Sequence, residues 1–199
     1  MPSAANNERL QVTDIGELRS WLAANQTRTD SIWLVTFKKH VPARYVSRGE
    51  VIDEILCWGW IDSLARKIDD DRTMLLISPR KEKSAWSKVN KDKIARLEAD
   101  DRIQPPGRAK IEAAKANGMW NFLDDVDALI KPDDLIAAFS AVPGSAENFD
   151  SFPASSRRGI LEWIKQAKQN KTRKRRIDMT AELAGQNIMA NHPESQRQR

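Results

Sequence analysis

The sequence predicts an α+β protein: a small antiparallel sheet packed with helices, followed by a helical C-terminal part. Three observations carry this. Short runs rich in β-branched and aromatic residues lie among stretches of helical apolar spacing. A polar "DDR" at 70–72 sits between two such runs. From Pro132 onward the spacing is helical only. Residues 1–120 are therefore expected to form an α+β domain and residues 132–188 a helical one. Residues 121–131 are the expected connection, and residues 189–199 an expected disordered tail.

Each element follows from local chemistry. In "TDIGELRSWLAAN", Asp14 and Glu17 suit the N-cap and third helical position, and Ile15, Leu18 and Leu22 share one helical face. "SIWLVTFKK" (31–39) is strand-like, and its unbroken apolar run predicts burial on both faces. In "SRGEVIDEILCWGW", Ser47 and Glu50 form a capping box ahead of Ile52, Ile55 and Leu56, with Gly59 placed to end the helix. Strands are expected over 63–69 and 73–78, paired as an antiparallel hairpin and closed by Pro79. "NKDKIARLEADD" and "PPGRAKIEAAKANG" read as helices, the second opened by proline and closed by Gly118. Three more are expected in "PDDLIAAFSAV", "SSRRGILEWIKQAKQ" and "TRKRRIDMTAELAGQ".

Composition narrows the function classes. With 199 residues, 40% of them hydrophobic, the chain can bury a core of its own. The single cysteine, Cys57, cannot form an internal disulfide, and no run approaches a membrane span. The first residues lack the basic and apolar regions of a secretory signal, so a soluble cytoplasmic protein with no membrane role is expected. The net charge of +5 is unevenly spread. Residues 157–176 carry a local +8 and residues 80–96 a local +5, which leaves the remainder at −8. Such segregation suits an anionic partner, while lysine and arginine near helix C-termini also complement the helix dipole.

The stretch "CWGWIDSLARKIDDDR" (57–72) concentrates residues that can either pack or do chemistry. Trp58 and Trp60 flank Gly59, so at least one indole should be buried with its N–H partnered. Cys57 lacks a base to hold it as thiolate, because His40 follows a strand and His192 falls in the expected tail; it reads as a packed thiol. The scarcity of histidine and the absence of CxxC or HExxH argue against a metal, and no cofactor is expected. What remains is an acid and base constellation. Asp62, Arg66, Asp69 and Arg72 bracket the hairpin, and Arg80, Trp86, Lys88 and Asn90 follow it. Regular alternation would put Asp62 and Arg66 on one face of the first hairpin strand. Arginine and lysine beside an indole suit a phosphate or carboxylate on a flat group. The same residues also fit an exposed salt-bridge ladder over a core tryptophan.

"CWGWID", "KIDDDR", "SPRKEKSAWSKVN", "AAKANGMW" and "SSRRGILEWIKQAKQNKTRKRRI", in this order, resemble the YdeI/OmpD-associated family, often labelled bacteriocin-protection proteins, over Trp33 to Ile177. The resemblance implies a cytoplasmic protein with an α+β N-terminal part and a helical C-terminal part, and it implies no reaction. Its hallmark positions include Cys57, Gly59, Trp60, Asp62, Asp69, Arg72, Arg80, Trp86, Asn90, Gly107, Trp120, Lys168, Arg173, Arg175 and Arg176. The chain departs from the family's usual pattern at 101–103 and at 169–173, where a glutamate is missing and the local positive charge rises. Three functions are consistent with these residues. The first is non-catalytic binding of an anionic small molecule or partner through Trp60, Asp62, Arg66, Arg72, Arg80, Trp86, Lys88 and Asn90. The second is an enzyme using Asp62 or Asp69 as general acid or base, which needs a raised pKa. The third is binding of a polyanion such as nucleic acid through the basic clusters, with Lys168, Arg173, Arg175 and Arg176 as its contacts.

Overall fold

The computed structural model describes residues 8–191. They form two compact units, divided between Phe122 and Leu123. His192 and most of the expected tail lie outside the described residues. Within them, Ala190 is buried.

The first unit contains β1 (Arg9–Gln11), α1 (Ile15–Ala24), β2 (Ile32–Phe37), α2 (Arg48–Cys57), β3 (Trp60–Lys67), β4 (Arg72–Pro79), α3 (Lys88–Ala99) and α4 (Pro105–Ala116). The caps form as the sequence predicts. The Asp14 carboxylate accepts from the Glu17 N–H, and Ser47 and Glu50 close the reciprocal capping box. Gly59 follows the α2 C-terminus at φ +76°, in the left-handed region glycine occupies without strain.

The strands form one sheet in the order β1-β2-β4-β3. β4 pairs antiparallel with both β2 and β3, as the hairpin signals imply. The sheet is not wholly antiparallel. β1 lies parallel to β2 and is joined to it through α1, a βαβ arrangement. The β1 segment "RLQ" is too short to show a period, and its partner dictates its structure.

One sheet face, with Ile32, Leu34, Leu75, Ile77 and Trp60, enters the main core with Leu18, Leu22, Ile55 and Leu56 of α1 and α2 and residues of α3 and α4. The other face buries Val35 and Phe37, with Arg66 stacked over Trp33 at 5.1 Å and Arg44 over Phe37 at 4.2 Å. The apolar run of β2 is thus buried on both sides, by helices on one and arginine stems on the other.

The second unit comprises α5 (Asp124–Asp127), α6 (Asp133–Ser140), α7 (Ser145–Ser151), α8 (Ala154–Lys165) and α9 (Asn170–Gly185), with no strand among its described residues. Two short helices escape sequence reading. α5 is a single turn inside the expected connection, and α7 begins after Gly144 at φ +74°. Among the described residues no helix is long and apolar enough to cross a membrane.

Candidate functional site

Arg80 lies just past the end of β4, where its backbone N–H donates to the Gly59 carbonyl at 2.9 Å. This continues the hairpin pairing one step beyond Trp60 and Pro79 and carries the side chain inward. Arg80 is only 2% exposed, and its guanidinium Cζ stands 3.7 Å from the centre of the Trp86 ring. Trp86 is 1% exposed and packs on Trp120 at 5.0 Å. Of the guanidinium nitrogens, Nη1 donates to the Ala85 carbonyl at 3.0 Å. Nε and Nη2, and the Trp86 indole Nε1, are buried and find no acceptor among the described residues. Burial pushes the guanidinium pKa down to about 10, with the Asp62 charge opposing the shift, so Arg80 stays charged at neutral pH. A desolvated cation with two unsatisfied donor nitrogens is costly, and a cation–π contact offsets only part of that cost. The segment between Arg80 and Trp86 is tied down: Asn117 Nδ2 donates to the Glu82 carbonyl, and the Trp86 N–H to the Met119 carbonyl.

Of the other sequence-derived candidates, Asp62 is tied to this centre by charge and the rest are engaged elsewhere. Trp60 is a core residue, edge-on to Trp21 at 5.5 Å. Asp62 accepts from Arg48 Nη2 at 2.9 Å and influences Arg80 through charge. Arg66 does not share its face. The β3–β4 register shifts between Asp62 and Ala65, and this bulge turns Asp62 toward the Ile77 side and Arg66 toward the Met74 side, over Trp33. The expected regular alternation is therefore corrected by one extra residue.

Asp69 and Arg72 build the hairpin turn. The Asp69 carboxylate accepts from the Asp71 and Arg72 N–H groups and pairs with the Arg72 side chain at 2.7 Å, while Arg72 Nη1 also donates to Gln11. The hydrogen bond from the Arg72 side chain, with the backbone donors, holds the Asp69 carboxyl below its ordinary range, the opposite of what a general acid needs. Lys88 pairs with Asp92 one turn along α3. Asn90 offers its backbone N–H to the Ser87 cap. Among the described residues no group of three or more His, Cys, Asp or Glu is placed to hold a metal ion.

Comparison with known families divides along the same chain. Residues 10–110 match the family described as a domain of unknown function, DUF8412. Residues 128–187 match the family described as "Bacteriocin-protection, YdeI or OmpD-Associated". The chain belongs to the DUF8412 family and carries a YdeI/OmpD-associated domain. The basic C-terminal block falls in the YdeI/OmpD-associated match, whereas most of the tryptophan-bearing block falls in the DUF8412 match. Neither the curated proteins nor the solved structures include a significant match.

In the YdeI/OmpD-associated domain the basic block is largely engaged internally. Arg173 grips Asp134 through Nε and Nη2 at 2.7 and 2.9 Å, which holds its pKa above the usual value. Lys174 pairs with Asp178 and Lys165 with Asp125, and Arg158 bridges Asp127 and Glu162. Arg176 lies over the Trp163 ring and donates to the Trp163 carbonyl. Lys168 and Arg175 remain exposed.

The DUF8412 part holds an ion network the sequence did not disclose. Buried Glu54 accepts from Arg19, Trp58 and Arg102 at 2.9 to 3.2 Å. Burial pushes its carboxyl up, but these donors outweigh it and leave the pKa lowered. Asp53 beside it is paired with Lys93 and Arg96. Next to both, the Cys57 thiol is 1% exposed, and burial, with the Glu54 charge, pushes it up to about 11. A readable signal existed for Glu54, an acid one helical turn before Trp58, but its cationic partners lie 35 and 48 residues away.

Proposed function

We propose that this chain is a cytoplasmic, non-catalytic binding protein whose Arg80–Trp86 stack receives an anionic small molecule. The observation that carries the reading is the set of buried, acceptor-less donors at Arg80 Nε, Arg80 Nη2 and Trp86 Nε1. Native proteins rarely leave such groups unsatisfied, and an anion supplies both the acceptors and the countercharge. Asp62 supports the centre from the adjoining strand by its charge. An acid–base role is less well supported, because Asp69 is committed to its turn and Asp62 to Arg48. Polyanion binding through the YdeI/OmpD-associated domain draws on fewer cations than its sequence offers, with Arg173 and Lys174 already paired.

The test is thermal melting at constant ionic strength with acetate, benzoate, inorganic phosphate, phenyl phosphate and sulfate, on the native chain and on Arg80→Met. A ligand at 100 times its Kd stabilises by about 2.7 kcal/mol, a rise of several degrees for a chain of this size. At least one anion is expected to raise the melting point of the native chain and leave that of the variant unchanged. Equal shifts in both proteins, or none in either, overturn the reading.

A further inference from the structure

We propose that the anion is a monocarboxylate, held side-on by Arg80 Nε and Nη2; this rests on the anion-binding reading above and narrows it to one chemical class. The two unpartnered guanidinium nitrogens are not an arbitrary pair. With Nη1 engaged by the Ala85 carbonyl, what remains is the intact edge on which Nε–H and an Nη2–H point the same way. That edge matches the spacing of two carboxylate oxygens.

The same protein shows what the edge takes. Arg19 uses Nε and Nη2 to grip Glu54 at 2.9 and 3.0 Å. Arg173 uses the same two atoms on the two Asp134 oxygens at 2.7 and 2.9 Å, and Arg28 uses them on the two Asp30 oxygens at 2.8 and 2.9 Å. Arg80 presents this edge with no such partner among the described residues, and its neighbouring acid, Asp62, is held by Arg48.

Charge selects among oxoanions. The centre offers one buried cation, which a monoanion neutralises. A phosphate monoester is mostly dianionic near neutral pH and would carry an uncompensated charge into the core, close to the Asp62 carboxylate. The Trp86 ring is already covered by the Arg80 guanidinium at 3.7 Å and by Trp120 at 5.0 Å, so what it offers a carboxylate is its unpartnered indole N–H.

The experiment follows the Trp86 indole N–H and the Arg80 Nε–H by nitrogen–proton NMR of the full chain near neutral pH, with the indole resonance identified by its loss in Trp86→Phe. Benzoate, phenyl phosphate and the uncharged isostere benzamide are titrated at constant ionic strength. Benzoate is expected to move both resonances with a Kd at least about ten-fold below that of phenyl phosphate, and benzamide to move neither. Arg80→Lys keeps the charge and loses the edge, so benzoate affinity is expected to drop by at least about ten-fold.

Phenyl phosphate binding as tightly as benzoate overturns the carboxylate assignment and leaves anion binding standing. Benzamide binding as tightly as benzoate, or an unchanged benzoate affinity in Arg80→Lys, overturns both, as does the failure of all three probes to move either resonance. Should Arg80→Lys not fold, the three probes on the native chain still decide between these outcomes.

Discussion

Cys57 shows how residue-scale chemistry follows from placement. A thiol on the last turn of α2, buried and beside the Glu54 carboxylate, is disfavoured as thiolate by desolvation and by like charge together. Cys57→Ala is expected to cost about 1 kcal/mol of unfolding free energy in urea titration, and native Cys57 to resist alkylation until the chain unfolds. Rapid labelling of the folded protein would contradict this. The packing role of Cys57 was legible in the sequence because the chain supplies no nearby base. The state of Arg80 was not, since an arginine after a strand reads as a surface charge until its neighbours are known. Trp60 and Trp86 were both recognisable as important indoles. Only their surroundings separate the one edge-on to Trp21 from the one stacked on a guanidinium.

At the scale of elements, the hairpin, its turn and the capped helices were legible because each is dictated by residues adjacent in sequence. β1 and the bulge in β3 were not, because both are settled by a partner strand. The crossing of α4 over the end of α2 is a further case. Gly107 sits where any Cβ would overlap the Cys57 carbonyl, and the Gln104 N–H donates to that same carbonyl at 3.0 Å. Gly107→Ala is therefore expected to destabilise by about 1–3 kcal/mol in urea unfolding despite the better helix propensity of alanine; an unchanged or higher midpoint would refute the close crossing.

α9 poses the opposite question, since its basic run looked available in sequence and is mostly paired in space. Substituting Arg173, Arg175 and Arg176 together with glutamine is expected to lower the melting temperature. It should reduce the log–log salt slope of any duplex-DNA binding by about 1, from Arg175, and not by about 3. A loss near 3 would return the block to the status of a polyanion contact.

Across the whole molecule, charge that is segregated along the chain is neutralised in three dimensions. The acids of Asp125, Asp127 and Asp134 meet the basic run of α8 and α9 within the second unit, and Asp53 and Glu54 meet Arg19, Lys93, Arg96 and Arg102 within the first. These carboxylates make stability depend on acid. Burial raises and the basic partners lower the pKa of Asp53 and Glu54, and the lowered value wins in each. Their stabilisation is therefore complete above the unfolded values, about 3.9 for Asp and 4.3 for Glu, and is lost as pH falls through the lower folded values. Urea midpoints are expected to fall steadily with acidification below about pH 4, and Glu54→Gln to flatten that slope; parallel profiles would count against the network. The closed setting of Arg80 has a temporal consequence as well. On the anion-binding reading proposed above, a guanidinium this buried is open to a ligand only while a neighbouring segment, such as the tied run from Lys81 to Ala85, lifts. The observed association rate in stopped-flow mixing should thus level off at high ligand concentration, at the opening rate of that segment, and dissociation should be slow for the same reason.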